Sequence, residues 1–246
     1  MAQRQRRGFS LLEIAIALTI IGLLTAGAAQ MLTTLTVRKQ RQTTEENLER
    51  VKQSLVEYFA ATCSLPCPDD PTDSNSGRQI DCSDPNAVAV PWRDLGIPRS
   101  AAFDGWNRRI RYAPADKPDK LAVNATPPSG LPSDRVFKDI TNVRDGAPCE
   151  GGGGSKNLTE FIKDDADNGL EVKDRNGNYF HEKGSRKAAA FILISPGPNG
   201  EADLDNSDGD ETFIIGRSGT ISGDAFDDMG TAMKIMTLAR KAGISP

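Results

Sequence analysis

Gly8 to Val37, GFSLLEIAIALTIIGLLTAGAAQMLTTLTV, is the stretch on which the reading of this 246-residue chain turns. It holds one charged residue, Glu13, and Ile14 to Val37 contains no Asp, Glu, Lys or Arg. Roughly 20 apolar residues in helix cross a bilayer core, so the run is read as a membrane-spanning helix. The leader before Phe9 carries Arg4, Arg6 and Arg7 and no acid. Positive charge of that kind is retained in the cytoplasm, which places everything after Val37 across the membrane in a single pass.

A secretory signal is cut after its apolar segment, yet here the small residue, Gly8, stands before it. Cutting at Gly8/Phe9 leaves the apolar segment on the mature chain. Glu13 sits one turn inside that segment, where a carboxylate costs about 2.5 kcal/mol or more and is expected to have a partner and a function. An ordinary signal anchor with an incidental acid is the weaker reading on that cost.

Arg6-Arg7-Gly8-Phe9-Ser10-Leu11-Leu12-Glu13 resembles the cleavage and methylation site of type IV prepilins and type II secretion pseudopilins. The resemblance implies cleavage after Gly8 by a prepilin peptidase, methylation of the Phe9 amine and assembly by an inner-membrane platform. It also implies pairing of Glu13 with the N-terminal amine of a neighbouring subunit. An ion pair in low dielectric is strong, and either partner alone there is heavily penalised. Gly22 agrees with the family pattern; Gln30 stands where major pilins and the major pseudopilin carry Pro, a departure that points to a minor subunit.

Beyond Val37 the helix is expected to continue. Leu48, Val51, Leu55, Tyr58 and Phe59 form an apolar stripe of period 3.6, with Glu45, Glu46, Glu49, Arg50, Lys52 and Glu57 on other faces. No Gly or Pro interrupts the chain from Gly27 to Pro66. One helix over 9–62, roughly 80 Å long, follows from the rise per residue. The organisation read is a leader over 1–8, the long helix over 9–62 with 9–37 in the membrane or filament core, and a head over 63–246. Losing the first eight residues leaves 27 Lys+Arg against 34 Asp+Glu, about −7, which argues against a nucleic-acid partner.

Cys63, Cys67, Cys82 and Cys149 are even in number and lie on the oxidising side of the envelope, which suggests two disulfides. Three pairings are open; Cys67 with Cys82 and Cys63 with Cys149 is the preferred one, because the first closes a local loop. Zinc is disfavoured by the spacing and by the lack of a nearby His.

Leu65-Pro66-Cys67-Pro68, Pro91-Trp92 followed by Leu95-Gly96, and Asp104-Gly105-Trp106 through Tyr112 resemble LPCP, PWxxLG and D-x-W-G-x-P-x-x-Y segments of pilin-like proteins. Asn107 and Arg109 replace the Gly and Pro of the third. Trp92 and Trp106 are read as apolar anchors on the helix stripe, in preference to sugar platforms, with Ile110 and Tyr112 alternating inward along a strand. APCEGGGGS at 147–155 is a flexible loop that lacks the Lys-Ser/Thr of a phosphate loop. A short helix is read at 157–166. His181, the sole histidine, is read as a surface residue, and nothing frames a hydrolytic triad.

AAAFILIS at 188–195 is the clearest strand, followed by the acidic PGPNGEADLDNSDGDE at 196–211 and a partner strand at 212–216. The acidic stretch is either a solvated turn or an oxygen-rich loop for Ca²⁺; an EF-hand register fails, since Leu204 then takes the first ligand place. Ser195 to Gly200 resembles the S-x-G-x-[DN]-G turn of the major pseudopilin's calcium loop. That likeness implies Asn199, Asp227 and Asp228 as ligands, with Asp208 and Asp210 as second choice. Met229, Met233, Met236 and Ala239 at helical spacing suggest a terminal helix over 224–246.

The fold read from these elements is α+β: a long N-terminal helix packed on a small antiparallel sheet with loop-rich, disulfide-tied insertions. The function read is a filament subunit and not an enzyme: a minor pilin of a type IV pilus, or alternatively a type II secretion pseudopilin. A membrane-anchored periplasmic binding module that never polymerises is the reading from a different class. Its location is the inner membrane, then a periplasmic or cell-surface filament.

Overall fold

A computed structural model describes residues 11–62, 65–73, 76–80, 84, 87–115, 169–174, 176–182, 188–200, 206, 212–215 and 228–241, with the side chains of 25–30 left aside. The chain divides into two units, Met1–Arg41 and Gln42–Pro246. The first element, α1, is an α-helix over Leu11–Thr62. In its apolar part, hydroxyls turn back onto the helix: Thr19 Oγ1 donates to the Ile16 carbonyl at 2.8 Å and Thr36 Oγ1 to Leu32 at 2.9 Å. Those polar groups thereby need no outside partner. Among the described residues no helix is long and apolar enough to cross a membrane. The apolar run read over 9–37 includes positions 9 and 10, outside the described residues, and 25–30, whose side chains are left aside.

In the second unit, Gln42 Nε2 donates to Glu46 Oε1 at 2.8 Å and Gln53 Nε2 to Glu57 Oε1 at 3.0 Å, while Lys52 pairs with Glu49. These are i+3 and i+4 neighbours on the exposed side of a helix. The opposite side buries Leu48, Val51, Leu55, Val56 and Phe59, with Tyr58 half-buried. That face joins one hydrophobic core with the strands of the head.

The head contains two three-stranded sheets among the described residues. In the first, β1 (Arg111–Pro114) and β6 (Met229–Lys234) flank β4 (Ala189–Ser195), both antiparallel to it. The register sets Tyr112 opposite Leu193 and Met233 opposite Phe191. All seven residues of β4 are buried, so a central strand covered on both faces explains its unbroken apolar sequence. In the second sheet, β2 (Glu171–Lys173) pairs antiparallel with β3 (Tyr179–His181) and parallel with β5 (Thr212–Ile214). A short helix, α2 (Ile235–Lys241), ends the described chain and buries Ile235, Leu238 and Ala239.

Four expectations need correcting. The strand after the acidic stretch pairs with β2 and not with β4, whose two edges are taken by β1 and β6. Its pairing is parallel, so the head is not purely antiparallel. Met229 and Met233 lie on a strand: a spacing of four returns a side chain to the same face in a strand as well as in a helix, and helix begins only at Ile235. His181 is buried at the end of β3, where pairing with Val172 brings it against the core-facing side of β2. Trp92 and Trp106 are half-buried and pack against the core, as read from the sequence. The stretch 157–166 and the 147–155 loop lie outside the described residues.

Candidate functional site

Gly8 and Phe9 lie outside the described residues, and Glu13 stands in the first turn of α1. It is exposed, and no described cation pairs with it. Around and beyond it the helix exposes large apolar side chains, among them Leu11 at 87%, Leu23 at 76% and Met31 at 66%. Isolated apolar side chains on a surface are ordinary; a contiguous series of this size marks a surface that meets protein or lipid. A carboxylate within that series is costly once the surface is covered unless a cation meets it.

The second feature is where the segments at 65–68, 91–96 and 104–112 meet. Asp104, buried, accepts from the backbone amides of Trp106 at 2.9 Å and Arg108 at 2.8 Å. Its other oxygen accepts from Ser195 Oγ at 2.7 Å. One carboxylate thus closes the Asp104–Arg108 turn and ties it to the end of β4. Asn107 holds φ +63°, the left-handed conformation that Asn tolerates best after Gly, so the replacement of Gly leaves a left-handed turn. Arg109 ion-pairs with buried Asp69 at 2.8 Å and donates to Ser76 Oγ at 2.6 Å. Asp69 also accepts from the Gly77 amide at 2.6 Å. Burial raises the Asp69 pKa, against the opposing pull of the Gly77 amide and Arg109.

Tyr112 fixes the LPCP segment by donating to the Pro66 carbonyl at 3.0 Å, and burial pushes its phenol well up. The PWxxLG segment closes its own turn, Ile97 N donating to the Trp92 carbonyl at 3.0 Å. Gly77 is required beside it, because φ is +103° and a Cβ would lie 2.3 Å from the Trp92 ring. Helix and head are stapled by polar contacts that the sequence did not signal. Gly105 N donates to Thr44 Oγ1 at 2.9 Å, and Asn47 Nδ2 donates to the Phe103 carbonyl at 2.7 Å.

Of the calcium candidates, Asn199 and Asp228 fall among the described residues. Asn199 is exposed in the turn after β4, which closes through Gly200 N donating to Pro196 at 3.1 Å. Asp228 is buried and accepts from Asn206 Nδ2 at 2.9 Å. Asn206 also exchanges two hydrogen bonds with the backbone of Ile214, each 2.9 Å, so it links β5 to the start of β6. Nothing in the sequence distinguished this Asn from the acids around it. Asp208, Asp210 and Asp227 lie outside the described residues, and among those described no group of three His, Cys, Asp or Glu could hold a metal. Cys67 is disulfide-bonded; Cys63, Cys82 and Cys149 lie outside the described residues.

The same turn is held by a cation of the chain itself. Arg108 Nη1 donates to the Gly197 carbonyl at 2.7 Å, and Nη2 donates to Pro198. Gly200 takes φ +84°, and a Cβ there would sit 2.4 Å from Arg108 Nη1. No curated protein and no solved structure matches the chain. Residues 3–29 match the family model described as the prokaryotic N-terminal methylation motif, and the chain carries the prepilin signal of the type IV pilins and pseudopilins.

Proposed function

We propose that the chain is a minor subunit of a type IV pilus or pilus-like filament, cut after Gly8 by a prepilin peptidase and N-methylated on Phe9. The observation that carries this reading is the methylation motif leading into a helix whose apolar side chains are exposed around Glu13. Residues 14–37, uncharged throughout, hold the subunit in the inner membrane before assembly, with the N-terminus in the cytoplasm. Transfer from lipid to a filament core exchanges one apolar surrounding for another, so packing and the Glu13 pair decide the register. Its partners are other pilin or pseudopilin subunits, the peptidase and the assembly platform. Gln30 in place of the Pro of major subunits supports the minor role.

A type II secretion pseudopilin is the second reading, supported by the SPGPNG sequence at 195–200. Calcium on Asn199 with Asp227 and Asp228, or with Asp208 and Asp210, belongs to that reading; isothermal titration with Ca²⁺ showing no heat removes it. The test of the main proposal is recovery of the tagged chain in sheared filaments. Incorporation that falls sharply in Glu13→Ala supports it; a Glu13→Ala chain incorporated at the normal level contradicts the pairing. A non-polymerising anchored module would be absent from filaments altogether.

A further inference from the structure

Arg108, Arg109 and Arg111 line one half-open cavity of about 170 Å³, together with Pro196, Gly200 and Val88. Three cationic residues around so small a space repel one another unless each is matched. Two are: Arg109 pairs with Asp69 at 2.8 Å, and Asp228 acts on Arg111 as an opposite charge. Burial lowers the Arg111 pKa and Asp228 opposes it, so this cation sits in a poorly solvated place.

Arg108 differs. Its hydrogen-bond partners are the neutral carbonyls of Gly197 and Pro198, and among the described residues no carboxylate lies within 4.0 Å of it. Two of its five N–H donors are used in those bonds, which fix the plane of the guanidinium. The carbonyls orient the group and leave its full charge. A fixed planar fork with spare donors suits a two- or three-oxygen anion.

The geometry points to a binding pocket for a small oxyanion, a phosphate or carboxylate group, seated against Arg108, the one cation of the three that no described carboxylate matches. Gly200 lets the guanidinium lie directly against the turn, since a Cβ there would sit 2.4 Å from Nη1 and displace the group. The anion comes either from solution, as inorganic phosphate, or from an acidic side chain of another protein chain. The pocket is independent of whether the chain polymerises.

The test uses the full chain in detergent, titrated calorimetrically with inorganic phosphate and, separately, with a blocked Gly-Asp-Gly peptide. Sodium chloride at matched ionic strength is the control. Phosphate binding that weakens roughly tenfold in Arg108→Gln and is largely kept in Arg108→Lys assigns the site to a free anion. Peptide binding with the same Arg108 dependence, without phosphate binding, assigns it to a protein carboxylate. Wild-type protein that binds neither ligand beyond the chloride control overturns the pocket, and a cavity already neutralised from within the chain gives that result. Binding that survives unchanged in both Arg108→Gln and Gly200→Ala overturns it as well. Far-UV spectra of the variants establish that they are folded.

Discussion

Asp104 accepts three hydrogen bonds from three places in the chain, two of them backbone amides and one the Ser195 hydroxyl. Its removal strands all three donors in a buried setting, so Asp104→Ala is expected to lower stability by about 3 kcal/mol, read from urea unfolding of the full chain. Asp104→Asn, which keeps one acceptor oxygen, should lose less. At Asn107, φ +63° predicts the opposite ordering to ordinary surface positions. Asn107→Gly should be close to neutral, and Asn107→Val should cost about 1–2 kcal/mol because a β-branched side chain resists the left-handed region. Asp69 adds a pH signature. Its native pKa is raised above 3.8, so the stability it contributes is fully present below that value and is lost as pH rises through the native pKa. Thermal melts of wild type and Asp69→Asn should therefore diverge as pH is raised from about 3.5 to 6, with the wild type losing ground relative to the variant. A constant gap across that range removes the claim.

At the scale of elements, the two parts of α1 predict different consequences for the same substitution. Leu55 is fully buried against the head, and Leu55→Ala should cost about 2–5 kcal/mol in unfolding. Leu23, 76% exposed, should change unfolding by less than about 0.5 kcal/mol as Leu23→Ala, while reducing recovery in filaments. Elements were legible where one physical signal dominated. The 3.6-residue stripe from Leu48 to Phe59 and the apolar run of β4 each admit one arrangement once length and flanks are considered. Spacing failed where two structures share it: Met229 and Met233 lie on one face of either a helix or a strand. Pairing failed for β5 because its short TFI sequence contains nothing that selects β2 over β4. His181 was misread for a related reason, since its neighbours Tyr179 and Phe180 are exposed and only register turns it inward.

For the whole molecule, the methylation motif was legible at the N-terminal end, where residues 3–29 match the family model. That motif announces itself because Glu13 is a carboxylate inside an apolar run and the small residue Gly8 stands before the run instead of after it. The polar joints of the head, Thr44 with Gly105, Asn47 with Phe103, and Asn206 with Asp228, join residues distant in sequence through side chains common on any surface. No local pattern encodes them. The account of the molecule as a filament subunit rests on retention of the apolar helix after loss of the leader. Intact-mass and N-terminal peptide mass spectrometry of the chain isolated from its native envelope measures this directly. A mature chain that begins at Phe9 with a methylated amine is the predicted result. A chain that still begins at Met1, or one that begins beyond Val37, contradicts it.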